Sequence, residues 1–204
     1  YYAAGLGLPA ESIDGRGRAL GNLGIVLFGL AILPSDPGAA GLLVIPAAVL
    51  VAQPSWVEYQ RGADESGSFQ GNRFPLLGIG YPLFSGMFTA NFGSFLDQRF
   101  DGQRDVTVDL LDGPTDASDF FEQNGAVSLV IFGYSRRLSD RLGVGLSVGR
   151  YAGSLTRRLI RDFGDASATA NLELYEVGGR WSYSGASLTA GFAADLGTIV
   201  RVAG

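Results

Sequence analysis

The 204-residue chain contains no cysteine, no histidine and no lysine, so all 15 of its basic residues are arginines. Without cysteine there is no disulfide framework, thiolate metal site or cysteine nucleophile. Without histidine the chain lacks the commonest general base, which excludes Ser-His-Asp and Cys-His hydrolases. No pair of carboxylates stands at a spacing that indicates a catalytic dyad. The sequence therefore predicts no enzymatic activity, no metal and no cofactor.

Charge is also scarce. Only 17% of the residues are charged, against roughly 25% in typical soluble domains, and the formal net charge is −5. An acidic chain without a long basic face is not expected to bind nucleic acid. Hydrophobic residues make up 47% of the chain and glycine 31 of its residues, a composition that is apolar for a soluble protein but too polar for a bundle of membrane helices.

Long hydrophobic runs are missing as well. A membrane-spanning helix needs about 20 apolar residues. The run at residues 23–33 is about half that length and ends at the turn-forming sequence PSDPG, and the run at residues 39–52 is interrupted by Pro46. A helical hairpin in this region stays open as an alternative, but the two runs do not predict one.

The alternation of large and small residues is the strongest positive signal. In RLGVGLSVGR, residues 141–150, the even positions from Leu142 to Val148 are branched and apolar, and the odd positions are glycine or serine. Such a period of two predicts a β-strand with one bulky and one small face. Similar alternation predicts about eight strands, at the residues listed here: 49–60, 73–84, 86–100, 105–111, 125–138, 142–160, 168–184 and from 186 onward.

The spacing of these strands favours a membrane barrel. Short turns at Ser85-Gly86, Ser139-Asp140 and Gly185 alternate with longer polar loops at residues 61–72, 103–124 and 162–167. Outer-membrane barrels show this asymmetry, and aromatic residues near strand ends, Trp56, Tyr81, Tyr134 and Trp181 among them, fit interfacial girdles. We therefore predict an all-β fold, an antiparallel transmembrane β-barrel. In a soluble β-sandwich the same aliphatic face would form the core, and the second face would be charged.

Three stretches of the sequence resemble the FadL-type outer-membrane transporters of hydrophobic compounds. GRGRALGNLGIV, residues 15–26, resembles the family's glycine-rich opening, and PSDPGAAGLLVIPAAV, residues 34–49, resembles its "DPxAxxxNPAAL" segment. GNRFPLLGIGYPL followed by GSFLDQRF resembles its early strands. Asn22 replaces the second glycine of the opening, and Ile45 replaces the asparagine before Pro46.

The resemblance implies an N-terminal hatch, or plug, at residues 1–46 inside a barrel built from residues 47–204. Barrels of that family have fourteen strands, so the chain would supply the N-terminal part of one; a complete eight-stranded barrel is the alternative. The hatch-motif residues that carry over are Gly15, Arg16, Gly17, Arg18, Asn22, Asp36, Pro37 and Pro46. The apolar hatch residues Ile25, Leu27, Phe28 and Leu30 are candidates for ligand contact, although simple packing of the plug explains them too.

Two charged clusters have several interpretations. Residues 97–119 hold seven aspartates, but they lack an EF-hand spacing, so a solvated external loop explains them better than a calcium site. Arginines gather at positions 136, 137, 150, 157, 158 and 161, where they could meet lipid phosphates, pair with loop aspartates or line a pore.

The expected function is passive uptake of hydrophobic small molecules across the bacterial outer membrane, with lateral exit through a break in the wall, as the resemblance implies. The expected partners are membrane lipid and lipopolysaccharide, a hydrophobic small molecule and, in one alternative, a protein. In that alternative the barrel is a structural or partner-docking subunit of a larger assembly. A soluble β protein, or an inner-membrane subunit with an N-terminal helical hairpin, is the third hypothesis.

Overall fold

The computed structural model describes residues 8–9, 14–21, 25, 32–61, 65–110, 113–164, 174–196 and 200–204. These residues form an all-β fold with two short helices. The elements are β1 (Leu8–Pro9), α1 (Gly15–Ala19), α2 (Pro37–Ala40), β2 (Ala47–Arg61), β3 (Glu65–Leu83), β4 (Gly86–Leu110), β5 (Gly113–Ser139), β6 (Leu142–Asp162), β7 (Tyr175–Asp195) and β8 (Arg201–Ala203). Neither helix is long and apolar enough to cross a membrane.

Strands β2 to β8 lie in sequence order in one antiparallel sheet, which curls into a half-barrel. Each strand pairs with the next along the chain, and β1 pairs separately with β4. This confirms the predicted all-β antiparallel architecture. Among the described residues no pairing joins β2 to β7 or β8, so these strands form an open sheet and not a closed eight-stranded barrel.

Two predicted loops are wrong, because the strands are longer than their apolar parts. Residues 105–111 do not start a separate strand: β4 runs on to Leu110 and pairs with β5 through most of the predicted loop 103–124. β3 likewise begins at Glu65, inside the predicted loop 61–72. Polar cross-strand pairs replace apolar ones in the β4–β5 extension, as in the bonds from Thr107 Oγ1 to Asp116 Oδ1 (3.0 Å) and from Ser118 Oγ to Asp105 Oδ1 (2.7 Å).

The predicted turn at Gly185 is also wrong. Gly185 lies in the middle of β7, opposite Tyr151 of β6, so the two strands predicted at 168–184 and from 186 onward are one from Tyr175 to Asp195. Residues 168–173 lie outside the described residues. A Ser-Gly pair is typical of turns, but here the long partner strand β6 continues past it, and the extended pairing prevails.

The β3–β4 turn lies one residue earlier than predicted. Phe84 and Ser85 are its two central residues, with φ values of 49° and 61°. Two left-handed residues in succession match the right-handed twist of a two-residue hairpin. The hydroxyl of Tyr134 donates a hydrogen bond to the carbonyl oxygen of Phe84 at 2.7 Å, which fixes this turn against β5.

The two faces of the sheet differ in chemistry. One face, here called the covered face, carries small and hydroxyl residues in register across β3 to β7: Gly80, Thr89, Gly133, Ser147 and Thr189. The opposite face, here called the open face, carries apolar residues in register across β2 to β7: Ala48, Ile79, Ala90, Phe132, Val148 and Leu188. Thr89 and Ser147 are buried, whereas Val148 is 53% and Leu188 71% exposed. The alternation predicted for residues 142–149 is therefore present.

A β-bulge divides β4 into two parts. Ser94 pairs with Ser128 but Leu96 pairs with Val127, which leaves Phe95 as an extra residue. Up to Phe92 the bulky residues of β4 lie on the open face, as predicted. Beyond the bulge the pattern reverses, because one extra residue moves every later side chain to the other face. Leu96 and Phe100 thus lie on the covered face, and their predicted placement beside Phe92 is wrong.

A small hydrophobic core joins the N-terminal segment to the sheet. Leu33 and Leu76 are almost fully buried, and Val49 and Val51 of β2 pack against them. The largest exposed apolar surface lies on the other side, because the open face has nothing packed on its aliphatic rows among the described residues. This is the reverse of a soluble sandwich, in which the aliphatic face is the core.

Candidate functional site

Residues 32–46, here called the inner segment, pack on the covered face. Asp36 caps α2 by accepting a hydrogen bond from the backbone N–H of Ala39 at 3.1 Å, and Pro37 stands at the first helical position, where its missing N–H costs nothing. All four residues of α2 are buried against β5, β6 and β7. The segment thus lies over the middle of the sheet.

Two polar contacts fix the backbone of the inner segment. Ser135 Oγ donates to the carbonyl oxygen of Pro37 at 2.5 Å, and Arg137 Nη2 donates to the carbonyl oxygen of Leu42 at 2.6 Å. Both donors come from β5, on either side of the α2 docking position. They satisfy carbonyls that would otherwise be left unpaired near the end of a short helix.

Glycines allow the inner segment to approach this closely. A Cβ on Gly143 would stand 2.5 Å from the carbonyl oxygen of Gly38, and a Cβ on Gly145 would collide with that of Pro37. Conversely, a Cβ on Gly38 would stand 2.5 Å from the backbone of Phe192. The small residues of 142–149 therefore match a chain segment that lies directly against them.

The predicted hatch motif lies partly in α1. Gly15, Arg16, Gly17 and Arg18 belong to this helix, and Asp14 caps it by accepting a hydrogen bond from the N–H of Gly17 at 2.9 Å. Burial raises the pKa of Asp14, but the Gly17 N–H and the Arg16 guanidinium outweigh it, so its pKa lies below the ordinary value.

The other predicted site residues are placed as follows. Asp36 and Pro37 form the start of α2, and Pro46 directly precedes β2. Ile25 is exposed, at 37%, and ligand contact through it stays a prediction. Asn22, Leu27, Phe28 and Leu30 lie outside the described residues, so their role stays a prediction.

Strands β3 and β4 separate partway along their length. They pair from Leu83–Gly86 to Leu77–Phe92, and the described residues contain no β3–β4 pair beyond that point. β3 continues with β2 and β4 continues with β5, while β1 pairs with Leu96 and Asp97 on the edge of β4 that β3 has left. We call this fork the seam. Pro75 is buried beside it and has no N–H with which to extend the pairing.

A buried ion pair bridges the seam. Arg73 Nε of β3 lies 2.7 Å from Asp97 Oδ2 of β4, and the two side chains are only 8% and 6% exposed. Arg99 approaches the other carboxylate oxygen at 3.6 Å but is largely exposed. The pair thus joins opposite charges across the gap between the two strands.

A groove lies on the covered side of the upper strands, beyond the inner segment. It has a volume of about 330 Å³, within the range of small-molecule sites. Phe121, Leu159 and Val177 form one apolar row across β5, β6 and β7. Trp181 closes one side, and the guanidinium carbon of Arg157 lies 5.7 Å from the centre of its indole ring. Trp181, for which the sequence predicts a place in an interfacial aromatic girdle, thus lines this groove.

The remaining arginines of the predicted cluster separate into two groups. Arg161 forms two hydrogen bonds with the buried Asp119, at 2.6 and 2.9 Å, and Arg158 pairs with Glu176 at 2.7 Å. The Arg161 hydrogen bond, assisted by the charges of Arg161 and Arg104 and opposed by burial, holds the pKa of Asp119 below its ordinary value. Arg136 and Arg150 are exposed on the open face and form no ion pair with a described residue.

The acidic stretch forms a strand hairpin and not a loop. Its carboxylates accept hydrogen bonds from neighbouring Ser, Thr and Arg side chains, as at Asp105, Asp116 and Asp119. Within the described ranges, no group of three acidic side chains is placed to hold a metal ion.

The groove and the seam are the two site features that sequence reasoning missed. The row of Phe121, Leu159 and Val177 depends on a register across three strands, which periodicity within one strand does not reveal. The seam had a sequence signal in Pro75, which is disfavoured inside a central strand. No protein-family model, characterised protein or solved structure matches the chain significantly.

Proposed function

We propose that the strands of this chain form part of the wall of a bacterial outer-membrane β-barrel that takes up hydrophobic small molecules passively, with the inner segment as part of a plug. One observation carries the proposal: the open face exposes in-register apolar rows across six strands, while the opposite face is small and polar. Hydrocarbon is the solvent in which such a surface is stable, because exposed apolar patches of this extent are rare on soluble monomers.

The height of the apolar rows supports this environment. On β6 the outward residues from Leu142 to Val148 are all aliphatic, and Arg150 ends the series. At roughly 3.4 Å per residue they cover about 20 Å along the strand, comparable to the ~25 Å apolar band of outer-membrane barrels. Beyond this row β4 and β5 run on as a mostly polar hairpin to Leu110 and Gly113, as external extensions do.

The groove and the seam supply a path for the substrate. The groove lies among the polar upper strands, on the covered side, where an apolar molecule arriving from outside would leave water. The seam interrupts the β3–β4 wall beside the apolar rows, where such a molecule would pass from the interior into lipid. Capture in the groove and lateral exit at the seam would need no energy source, because both steps bury apolar surface.

The two tryptophans of the chain allow a direct test of the capture step. With Trp56 replaced by Phe, Trp181 of the groove is the sole indole reporter. We expect its fluorescence to change saturably when a hydrophobic probe such as an alkylbenzene is added to the protein in phosphatidylcholine vesicles. The matched variant Trp181→Phe retains Trp56, which is 69% exposed on β2, and should show no saturable change.

Uptake is tested on the same vesicles. We expect protein-containing vesicles to accumulate the probe faster than empty ones, and Trp181→Ala to slow this accumulation more than Trp56→Ala does. Correct insertion without any uptake would overturn the transport proposal and favour the structural or partner-docking hypothesis. Failure of the wild-type chain to associate with vesicles would overturn the membrane assignment itself.

A further inference from the structure

The open face above the apolar rows has a second surface with its own chemistry. One row runs in register across four strands, from Arg99 of β4 through Asn124 and Thr156 to Arg180 of β7. The row that ends the apolar band contains Arg150, between Val130 and Ala186. Arginines thus border the surface above and below.

The floor between these two rows consists of small residues. The positions in register across β5, β6 and β7 are Ser128, Ala152 and Ser184 in one row, and Ala126, Ser154 and Ser182 in the next. None carries a side chain larger than a hydroxymethyl group, so the floor is shallow and lined with hydroxyls. We call the floor together with Arg99, Arg150 and Arg180 the serine–arginine patch. It measures about 20 Å along the strands and about 15 Å across them, from standard strand dimensions.

The charges in the patch are available to a ligand. Arg150 forms no ion pair with a described residue, and the contact found for Arg180 is a 3.2 Å hydrogen bond to Ser154 Oγ. Arg99 lies 3.6 Å from Asp97, a carboxylate that already has a shorter bond to Arg73. The nearest exposed carboxylates on the same face, Asp101 and Glu122, stand one row beyond the patch.

We propose that the serine–arginine patch binds the phosphorylated headgroup of a glycolipid in the external leaflet. Guanidinium groups bind phosphate through paired N–H donors, and serine hydroxyls and the Asn124 amide suit sugar hydroxyls. The patch continues directly into the apolar rows, so a lipid seated there would place its acyl chains on Val130, Val148 and Leu188. This inference rests on the proposed membrane function and adds to it a specific lipid class and the residues that bind it.

The test uses the full chain in phosphatidylcholine vesicles that contain a small fraction of fluorescent diphosphorylated lipid A. We expect energy transfer from the protein's tryptophans to show enrichment of the labelled lipid around the protein. The double variant Arg150→Gln/Arg180→Gln should lower this enrichment by about tenfold, since two charge-assisted contacts are lost. The control Arg136→Gln/Arg141→Gln removes the same charge near the opposite end of the strands and should leave it unchanged.

A second variant and a competitor distinguish the outcomes. Ser182→Glu places a negative charge in the floor and should also abolish enrichment, with an unchanged β-type circular dichroism spectrum. Excess inorganic phosphate should not displace the lipid, because the acyl chains contribute to its binding. Equal enrichment for the patch and control variants overturns this inference while membrane insertion, and with it the proposed function, stands. Absence of vesicle insertion by the wild-type chain overturns both.

Discussion

The carbonyl oxygen of Pro37 occupies the space into which a side chain on Gly145 would project. The contact joins the inner segment to β6 without any side chain between them. The same oxygen accepts a hydrogen bond from the hydroxyl of Ser135, the cross-strand partner of Gly145 on β5. The absence of a side chain on Gly145 is therefore a condition for docking of α2.

Gly145→Ala should destabilise the protein by about 1–3 kcal/mol, the usual cost of forcing extra carbon into a packed site. Gly185→Ala on the neighbouring strand is the matched control, because a Cβ there would meet only the Tyr151 side chain at 3.7 Å and beyond. Its effect should stay within about 0.5 kcal/mol. Urea unfolding of both variants in the same lipid vesicles measures the difference, and equal stabilities would show that Pro37 can move away at no cost.

Val148→Arg tests which face meets lipid. Val148 lies in the middle of the open apolar rows, where an arginine at the bilayer midplane costs about 2–4 kcal/mol. Thr156→Arg introduces the same side chain on the same face of the same strand, eight residues further along, where water or headgroups would solvate it. We expect only Val148→Arg to reduce the folded fraction in vesicles. Equal tolerance of the two substitutions would contradict a hydrocarbon environment for the open face.

Asp97→Asn should weaken the seam. The substitution removes the carboxylate charge next to the buried Arg73, and breaking one side of a buried ion pair costs about 3–5 kcal/mol. The exposed Asp109→Asn is the control and should change stability by less than about 0.5 kcal/mol. The double variant Arg73→Met/Asp97→Leu removes both charges and should cost much less than Asp97→Asn, because no buried charge is left unpaired. If the double variant is as unstable as Asp97→Asn, the Arg73–Asp97 pair stabilises the seam by its own hydrogen bond, and not only by compensating two buried charges.

The stability of the upper hairpin should depend on pH through Asp119. Because hydrogen bonding and charge from Arg161 hold the pKa of this carboxyl below 3.8 in the folded protein, its ionised form stabilises the fold above that pH. This contribution is lost as the pH falls below 3.8 and the carboxylate is protonated. Asp119→Asn should therefore destabilise the protein at pH 7 by about 1–3 kcal/mol and flatten the stability profile below pH 4.

Glu122→Gln serves as the comparison for that profile. Glu122 lies 3.5 Å from Arg158, and both side chains are more than 40% exposed, so this pair should contribute less than about 1 kcal/mol. Unfolding by urea between pH 2 and pH 7 measures both variants. If the free energy of unfolding of both variants depends on acidic pH in the same way as that of the wild type, protonation of Asp119 does not contribute to acid unfolding.

Sequence reasoning predicted most of the strands that carry apolar alternation. The predicted strand at 142–160 differs from β6 by two residues at one end, because a large–small period of two is a local signal. The sequence predicts residues 105–111 as a separate strand and misses their continuity with 86–100 and their pairing with β5, because cross-strand polar contacts stabilise a stretch whose composition is typical of a loop. Gly185 was misplaced for a similar reason: its extended conformation is set by the neighbouring strand.

The candidate site was less accessible to sequence reasoning than the fold. The glycines of β6 indicate that something approaches the strand closely, but the sequence does not show that this is the segment around Pro37. The Arg73–Asp97 pair joins residues 24 positions apart, and the serine–arginine patch exists only as a register across four strands. These relationships are tertiary, and no periodicity within one strand encodes them.

Because of the bulge at Phe95, the odd–even alternation of side chains between the two faces differs between the two parts of β4. Before it, even-numbered side chains point to the open face; after it, odd-numbered ones do. Deletion of Phe95 would place Leu96 directly after Ser94, in regular pairing with Val127, so Gln98, Arg99 and Phe100 would keep their present faces. Phe95 is thus an inserted residue: the pairing with β5, and not the odd–even pattern of the sequence, keeps the apolar residues before it and Arg99 after it on the same face of the wall.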